Sequence, residues 1–295
     1  MDFSVFYASF GRDFSVDAMN VLPRAAALGF DALEVSVNDF VMAQPESYIA
    51  EMKQRASDLG MKITCCGGGL TDGCDISSEN EYSRRKGIDR LKRVLGIAKA
   101  LGSSGLDGIN YVPWNSFTQP VHKMRRFDQC VKSMKEIAIY CGEIDIDFAV
   151  EVANRHEVFM LNTVKEAIDL CEAVGSPGIK IQLDTYHMNI EEDDMYQAIV
   201  SAGKRLYSLH VSENNRKIPR PGGSIPWDKV TKAVNDIGFD GYVELEPFLF
   251  TGGEIMYSSK IWRDNAELSD ESFVDYSMAN GLKYIKRIMC VEKRF

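Results

Sequence analysis

The chain has 295 residues, 45% of them hydrophobic and 26% charged, with a formal net charge of −9. No run approaches the roughly eighteen apolar residues of a membrane span, and an acidic surface repels a phosphate backbone, so neither membrane nor nucleic acid is an expected partner. The seven cysteines are odd in number and form no CxxC pair, which argues against a disulfide framework and a zinc–thiolate site.

The opening MDFSVFYASF lacks the basic and apolar regions of a secretory signal, so a cytoplasmic protein is expected, and Phe3 to Ala8 reads as a first strand. From there one punctuation recurs: an apolar helical segment ends at a glycine and a short β-branched or apolar run follows. It occurs at Gly29, Gly60, Gly102, Gly142, Gly175, Gly203 and Gly238. Glycine suits the left-handed residue that closes a helix, and runs such as Ala32 to Val35, Phe148 to Val150 and Ile179 to Ile181 read as the strands that follow. Cys66-Gly67-Gly68-Gly69 is a loop after the third strand, not spaced to cradle a phosphate. The basic run Lys123 to Arg126 is too short to reverse the acidic field, and the acidic run Glu191 to Asp194 reads as a solvated helix start. Gly222-Gly223 and Gly252-Gly253 read as loop hinges, Tyr257 to Trp262 as an exposed segment, and Asp275 to Met289 as the last helix.

Eight strand–helix units with no break in composition predict a single (β/α)8 TIM barrel over residues 1–295. A doubly wound open sheet is the competitor, but no GxGxxG or GxxxxGK[ST] supports it.

In such a barrel the reacting groups lie at the carboxyl ends of the strands. The last four predicted strands each end near a metal-competent side chain: Glu151, Asp184, His210 and Glu246. Glu244 and Glu246 share a face by alternation, and Glu246 is preferred as nearer the strand end. Three carboxylates and an imidazole suit one hard divalent cation, Mn²⁺ or Mg²⁺ and, behind them, Co²⁺. Asn154, Arg155, His156, Glu157, His187, Glu213 and Arg216 add directed polar groups nearby, and Trp114 and Phe248 are candidate walls for a sugar.

The segments VEVANRHE (150–157), LDTYHMNIEEDD (183–194), HVSENNR (210–216), ELEPF (244–248) and KIWRD (260–264) resemble the ketose 3-epimerases, the D-tagatose and D-allulose (D-psicose) 3-epimerase group of xylose-isomerase-like barrels. The resemblance implies that Glu151, Asp184, His210 and Glu246 ligate one metal ion per subunit, usually manganese or cobalt, and that Glu151 and Glu246 are also the acid–base pair. It implies substrate contacts from Glu157, His187 and Arg216, a pocket lined by Trp114 and Phe248, and a homodimer or homotetramer acting on a small ketose. Phe6 stands in the pocket where a tyrosine is common, and Cys65 to Gly69 and His156 also depart from the family pattern. The expected reaction is inversion at C3, as between D-fructose and D-allulose or D-tagatose and D-sorbose. An aldose–ketose isomerase and a sugar-binding homologue without activity are the alternatives.

Overall fold

Alternation along each strand sends successive side chains to opposite faces, so a strand with two different faces reveals what lies on each side of its sheet. In the computed structural model, which describes residues 1–116, 121–265 and 271–290, eight strands carry this division. They are β1 (Asp2–Phe6), β2 (Ala32–Ser36), β3 (Lys62–Cys66), β4 (Gly105–Asp107), β5 (Asp147–Glu151), β6 (Ile179–Asp184), β7 (Leu206–Val211) and β8 (Tyr242–Leu245). All pair in parallel and in sequence order, and β8 returns to β1 to close a barrel.

Eleven helices lie among the described residues: α1 (Ala18–Leu28), α2 (Asp39–Met42), α3 (Glu46–Asp58), α4 (Glu81–Leu101), α5 (Lys123–Ile144), α6 (Val164–Val174), α7 (Thr185–Glu191), α8 (Met195–Ala202), α9 (Trp227–Asp236), α10 (Gly253–Ser259) and α11 (Glu271–Met289). None is long and apolar enough to cross a membrane. The (β/α)8 barrel predicted from the glycine spacing is the observed fold.

One face of the barrel is apolar: Val5 pairs with Leu33, Leu33 with Ile63, and Leu183 with Leu209, which pairs with Val243. These side chains are buried against the helices. The other face is polar: Glu34 pairs with Thr64, Gln182 with Ser208, and His210 with Glu244. Because His210 on β7 touches Glu34 on β2, strands that are not neighbours, the polar face must be the inside. Barrel interiors are normally filled by branched aliphatic residues. Here the apolar core lies between strands and helices, and the lumen carries charge.

Gly29, Gly102 and Gly175 close α1, α4 and α6 in the left-handed region, as expected. Gly142 does not close a helix: α5 continues through it to Ile144, and Asp145, at φ 52°, takes the left-handed position. The acidic run also differs from the expected solvated helix start. Glu191 ends α7 and grips Arg155 at 2.6 Å, Glu192 accepts the Val164 N–H at 2.7 Å, and only Asp194 starts a helix, capping α8. Gly223 is held under the Glu213 carboxylate, which accepts the Ser224 N–H at 3.0 Å and the Trp227 indole N–H at 3.0 Å. Glu213 therefore fastens the loop after β7.

Gly241 leads into β8 where a Cβ would lie 2.3 Å from the Tyr207 carbonyl oxygen. Gly241→Ala is expected to destabilise the fold by about 1–3 kcal/mol through this forced displacement of backbone. Denaturant unfolding measures it, and an unchanged midpoint would show that the β7–β8 seam yields freely.

Candidate active site

The carboxyl ends of β5 to β8 bring the four predicted ligands together. Glu151 and Asp184 are the last residues of β5 and β6, His210 is the penultimate residue of β7, and Glu246 follows β8 directly. One donor atom each from Glu151, Asp184 and His210 lies within 4.8 Å of the others. Glu246 joins them with Oε2 at 3.2 Å from His210 Nδ1. Arg216 Nη1 then ties the group, donating to Asp184 Oδ2 at 2.6 Å and to Glu246 Oε2 at 2.7 Å.

Do these residues fit a divalent cation? His210 Nδ1 is buried and makes no hydrogen bond, although a carboxylate oxygen lies 3.2 Å away. Neighbouring ligands of an octahedral ion with bonds of about 2.1 Å sit about 3 Å apart without bonding each other, so the geometry fits. The donor set, oxygens with one imidazole nitrogen, suits a hard ion and excludes a thiolate site.

Burial pushes the Glu151 carboxyl above the usual range, against the pull of His187. Burial works the same way on Glu246, but Arg216 and His210 outweigh it and hold that carboxyl down at about 2. His210 is buried too, which opposes charge, yet the surrounding Glu34, Glu246 and Glu244 draw its proton affinity well upward.

Glu151, His210 and Glu246 open onto a cavity of about 360 Å³ that is also lined by Phe6, Trp114, Glu157, His187, Arg216 and Phe248. Asp184 lies behind it, fully buried, with Oδ1 accepting the Tyr186 N–H at 2.7 Å as the cap of α7. The Trp114 indole N–H donates to Glu157 Oε2 at 2.8 Å, and Asn154 Nδ2 donates to Glu157 Oε1 at 3.0 Å. The Asn154 backbone N–H meets His187 Nδ1 at 3.2 Å, which turns Nε2 toward Glu151 Oε1 at 3.4 Å. Arg216 sits in the left-handed region at φ 60°, a costly conformation for a non-glycine residue, and stacks 4.1 Å from the Tyr186 ring centre.

Phe14 completes the aromatic wall, 6.0 Å from Trp114 and 6.4 Å from Phe6 between ring centres. It comes from the loop before α1, where no periodicity marks it. His156 is exposed and does not line the cavity.

One layer deeper lies a second cluster that the sequence reading missed apart from Glu244. Glu34, Asp107 and Glu244 are each fully buried. His210 Nε2 lies 3.1 Å from Glu34 Oε1 and 3.0 Å from Glu244 Oε2. Thr64 donates to Glu244 Oε1 at 2.7 Å, and Ser208 donates to Asp107 Oδ2 at 2.6 Å. Burial and the charge of Glu244 push Glu34 up to about 7, and Asp107 moves up for the same reasons. Thus Glu244 and Glu246, equivalent by alternation, address opposite nitrogens of one imidazole.

The sequence pattern of the xylose isomerase-like TIM barrel family matches residues 22–271. A D-psicose 3-epimerase of Enterocloster bolteae is 32% identical over 98% of this chain and 96% of its own length. One of Agrobacterium fabrum is 31% identical over 98% of this chain and 99% of its own. A crystal structure of D-psicose 3-epimerase with D-tagatose from Clostridium cellulolyticum H10 superposes with a TM-score of 0.94 at 31% identity, covering 98% of this chain and 99% of that one. Full-length similarity in sequence and in fold leads to one assignment: the chain belongs to the xylose isomerase-like TIM barrel family, within its ketose 3-epimerase group.

Proposed function

We propose that the chain is an isomerase that inverts C3 of a free ketose, with one divalent cation held by Glu151, Asp184, His210 and Glu246. Mn²⁺ is the foremost candidate, followed by Co²⁺ and Mg²⁺. The observation that carries this reading is geometric: Glu151, Asp184 and His210 bring donor atoms within 4.8 Å of one another beside one cavity, with Glu246 Oε2 3.2 Å from His210 Nδ1. Glu151 and Glu246 both open onto that cavity, as an acid and a base must.

A proton on the carbon beside a ketone is weakly acidic, and the bound cation supplies Lewis acidity that draws off the charge developing on the sugar. Glu246 and Glu151 rise from the ends of strands three places apart around the barrel, a separation that would set them on different sides of a sugar held between them. One removes the C3 proton and the other returns a proton to the opposite face of the planar enediolate, with the roles exchanged in the reverse direction. Trp114, Phe248 and Phe6 enclose the apolar parts of the sugar, while Glu157 and His187 meet its hydroxyls. Arg216 is committed to Asp184 and Glu246, so its charge is not available to a phosphate, which favours an unphosphorylated substrate.

The test is product analysis after incubating the purified protein with Mn²⁺ and D-fructose, D-tagatose or L-ribulose. Formation of the C3 epimer is the expected result. An aldose product would convert the assignment to an aldose–ketose isomerase, and no turnover of any ketose would leave a binding protein.

A further inference from the structure

The polar lumen contains more acid than the C3 reaction uses. Glu34 from β2, Asp107 from β4 and Glu244 from β8 each place one oxygen within 4.8 Å of the others and of a His210 nitrogen. Among the described residues, the ion pairs of Glu34 and Glu244 are with His210, and no lysine or arginine pairs with any of the three. Keeping all three ionised beside one imidazole is strongly unfavourable without further positive charge.

Two of their oxygens, Glu34 Oε2 and Asp107 Oδ1, are buried with no hydrogen-bond partner. Independently of the acids, the Gln182 carboxamide is fully buried with neither its oxygen nor its nitrogen partnered. It lies on the inward face of β6, two residues before Asp184, where it borders the floor of the reaction cavity and pairs in register with Ser208, whose hydroxyl donates to Asp107. An amide oxygen and two carboxylate oxygens left open toward one interior are ligands of a hard cation.

We propose that the barrel lumen holds a second divalent cation, bound by Glu34, Asp107 and Glu244 with the Gln182 carbonyl oxygen, one layer below the reaction site. With His210 Nδ1 turned to the upper group, Nε2 bears the ring proton and donates to Glu34 Oε1 and Glu244 Oε2. The imidazole thus separates the two ions without bridging them. The lower ion fixes the carboxylates that orient His210 and so holds the upper ligand in place. An all-oxygen set of this size selects Mg²⁺, Mn²⁺ or Ca²⁺ over softer metals.

The test is a metal count that does not depend on catalysis. Full-length protein freed of metal is dialysed against excess Mn²⁺, and bound metal is measured by elemental mass spectrometry. Two equivalents per chain are expected, falling to one in Asp107→Asn and in Glu244→Gln, with circular dichroism confirming that each variant is folded. One equivalent or none in the wild type would overturn the lower site. So would two equivalents that both variants retain. Failure of the C3 reading shows separately, in the ketose assay.

Discussion

Asp184→Asn is expected to lower kcat/KM for ketose inversion by about three orders of magnitude or more while the protein stays folded. The substitution keeps an oxygen that can cap α7, since asparagine caps helices as well as aspartate does, so the Tyr186 N–H retains its partner. What disappears is the negative charge at the buried centre of the ligand group, where Asp184 Oδ2 lies 2.6 Å from Arg216. A cation supplies several kcal/mol of charge stabilisation to such a reaction, and about 1.4 kcal/mol corresponds to a tenfold change in rate. Initial rates in saturating Mn²⁺, with bound metal measured alongside, check the effect. A rate close to wild type with no metal bound would remove the cation from the mechanism.

The second large effect separates the two bases. Glu151→Gln and Glu246→Gln are each expected to cut epimerisation by about 10²–10⁴, the range in which positioned acid–base groups contribute. In D₂O the two variants should then diverge. Each retains one base on one side of the sugar, so each should exchange the C3 hydrogen of one epimer for deuterium without releasing the other epimer. The variants should act on opposite epimers. Mass spectrometry of recovered sugar reads this directly. Exchange of both epimers by a single variant would mean that one carboxylate serves both faces, and the two-base scheme would fall.

The parts of this molecule that were legible beforehand are those where local chemistry has one outcome. A glycine after an apolar helical run commonly finishes that helix, because few other residues accept left-handed backbone, and Gly29, Gly102 and Gly175 mark the barrel's units in this way. Gly142 fits the same pattern in sequence yet is helical, since Asp145 takes the left-handed position three residues later. The short helices α2, α7 and α10 lie outside that pattern, each under eight residues and too brief to show a period.

At the site, the sequence points to strand ends; the structure brings donor atoms of Glu151, Asp184 and His210 within 4.8 Å of one another and sets Glu246 3.2 Å from His210. Asp107 also ends a strand, but β4 is only three residues long and no apolar run marks it, and Glu34 gives no strand-end signal at all. A glutamate in the middle of an apolar strand looks the same in sequence whether it faces water, a helix or a lumen. Only closure of the barrel decides, by carrying β2 and β4 around to face β7 and β8. Phe14 was hidden for a related reason, being placed by a loop whose path depends on contacts with Tyr7 and Asn38.

The division of each strand into an apolar outer row and a polar inner row has an evolutionary corollary. Cohesion of the protein is stored in Val5, Leu33, Ile63, Leu183, Leu209 and Val243, none of which lines the cavity. Residues that determine chemistry occupy the alternate positions, so selection can rewrite the reaction one inward side chain at a time without loosening the shell that keeps the strands joined.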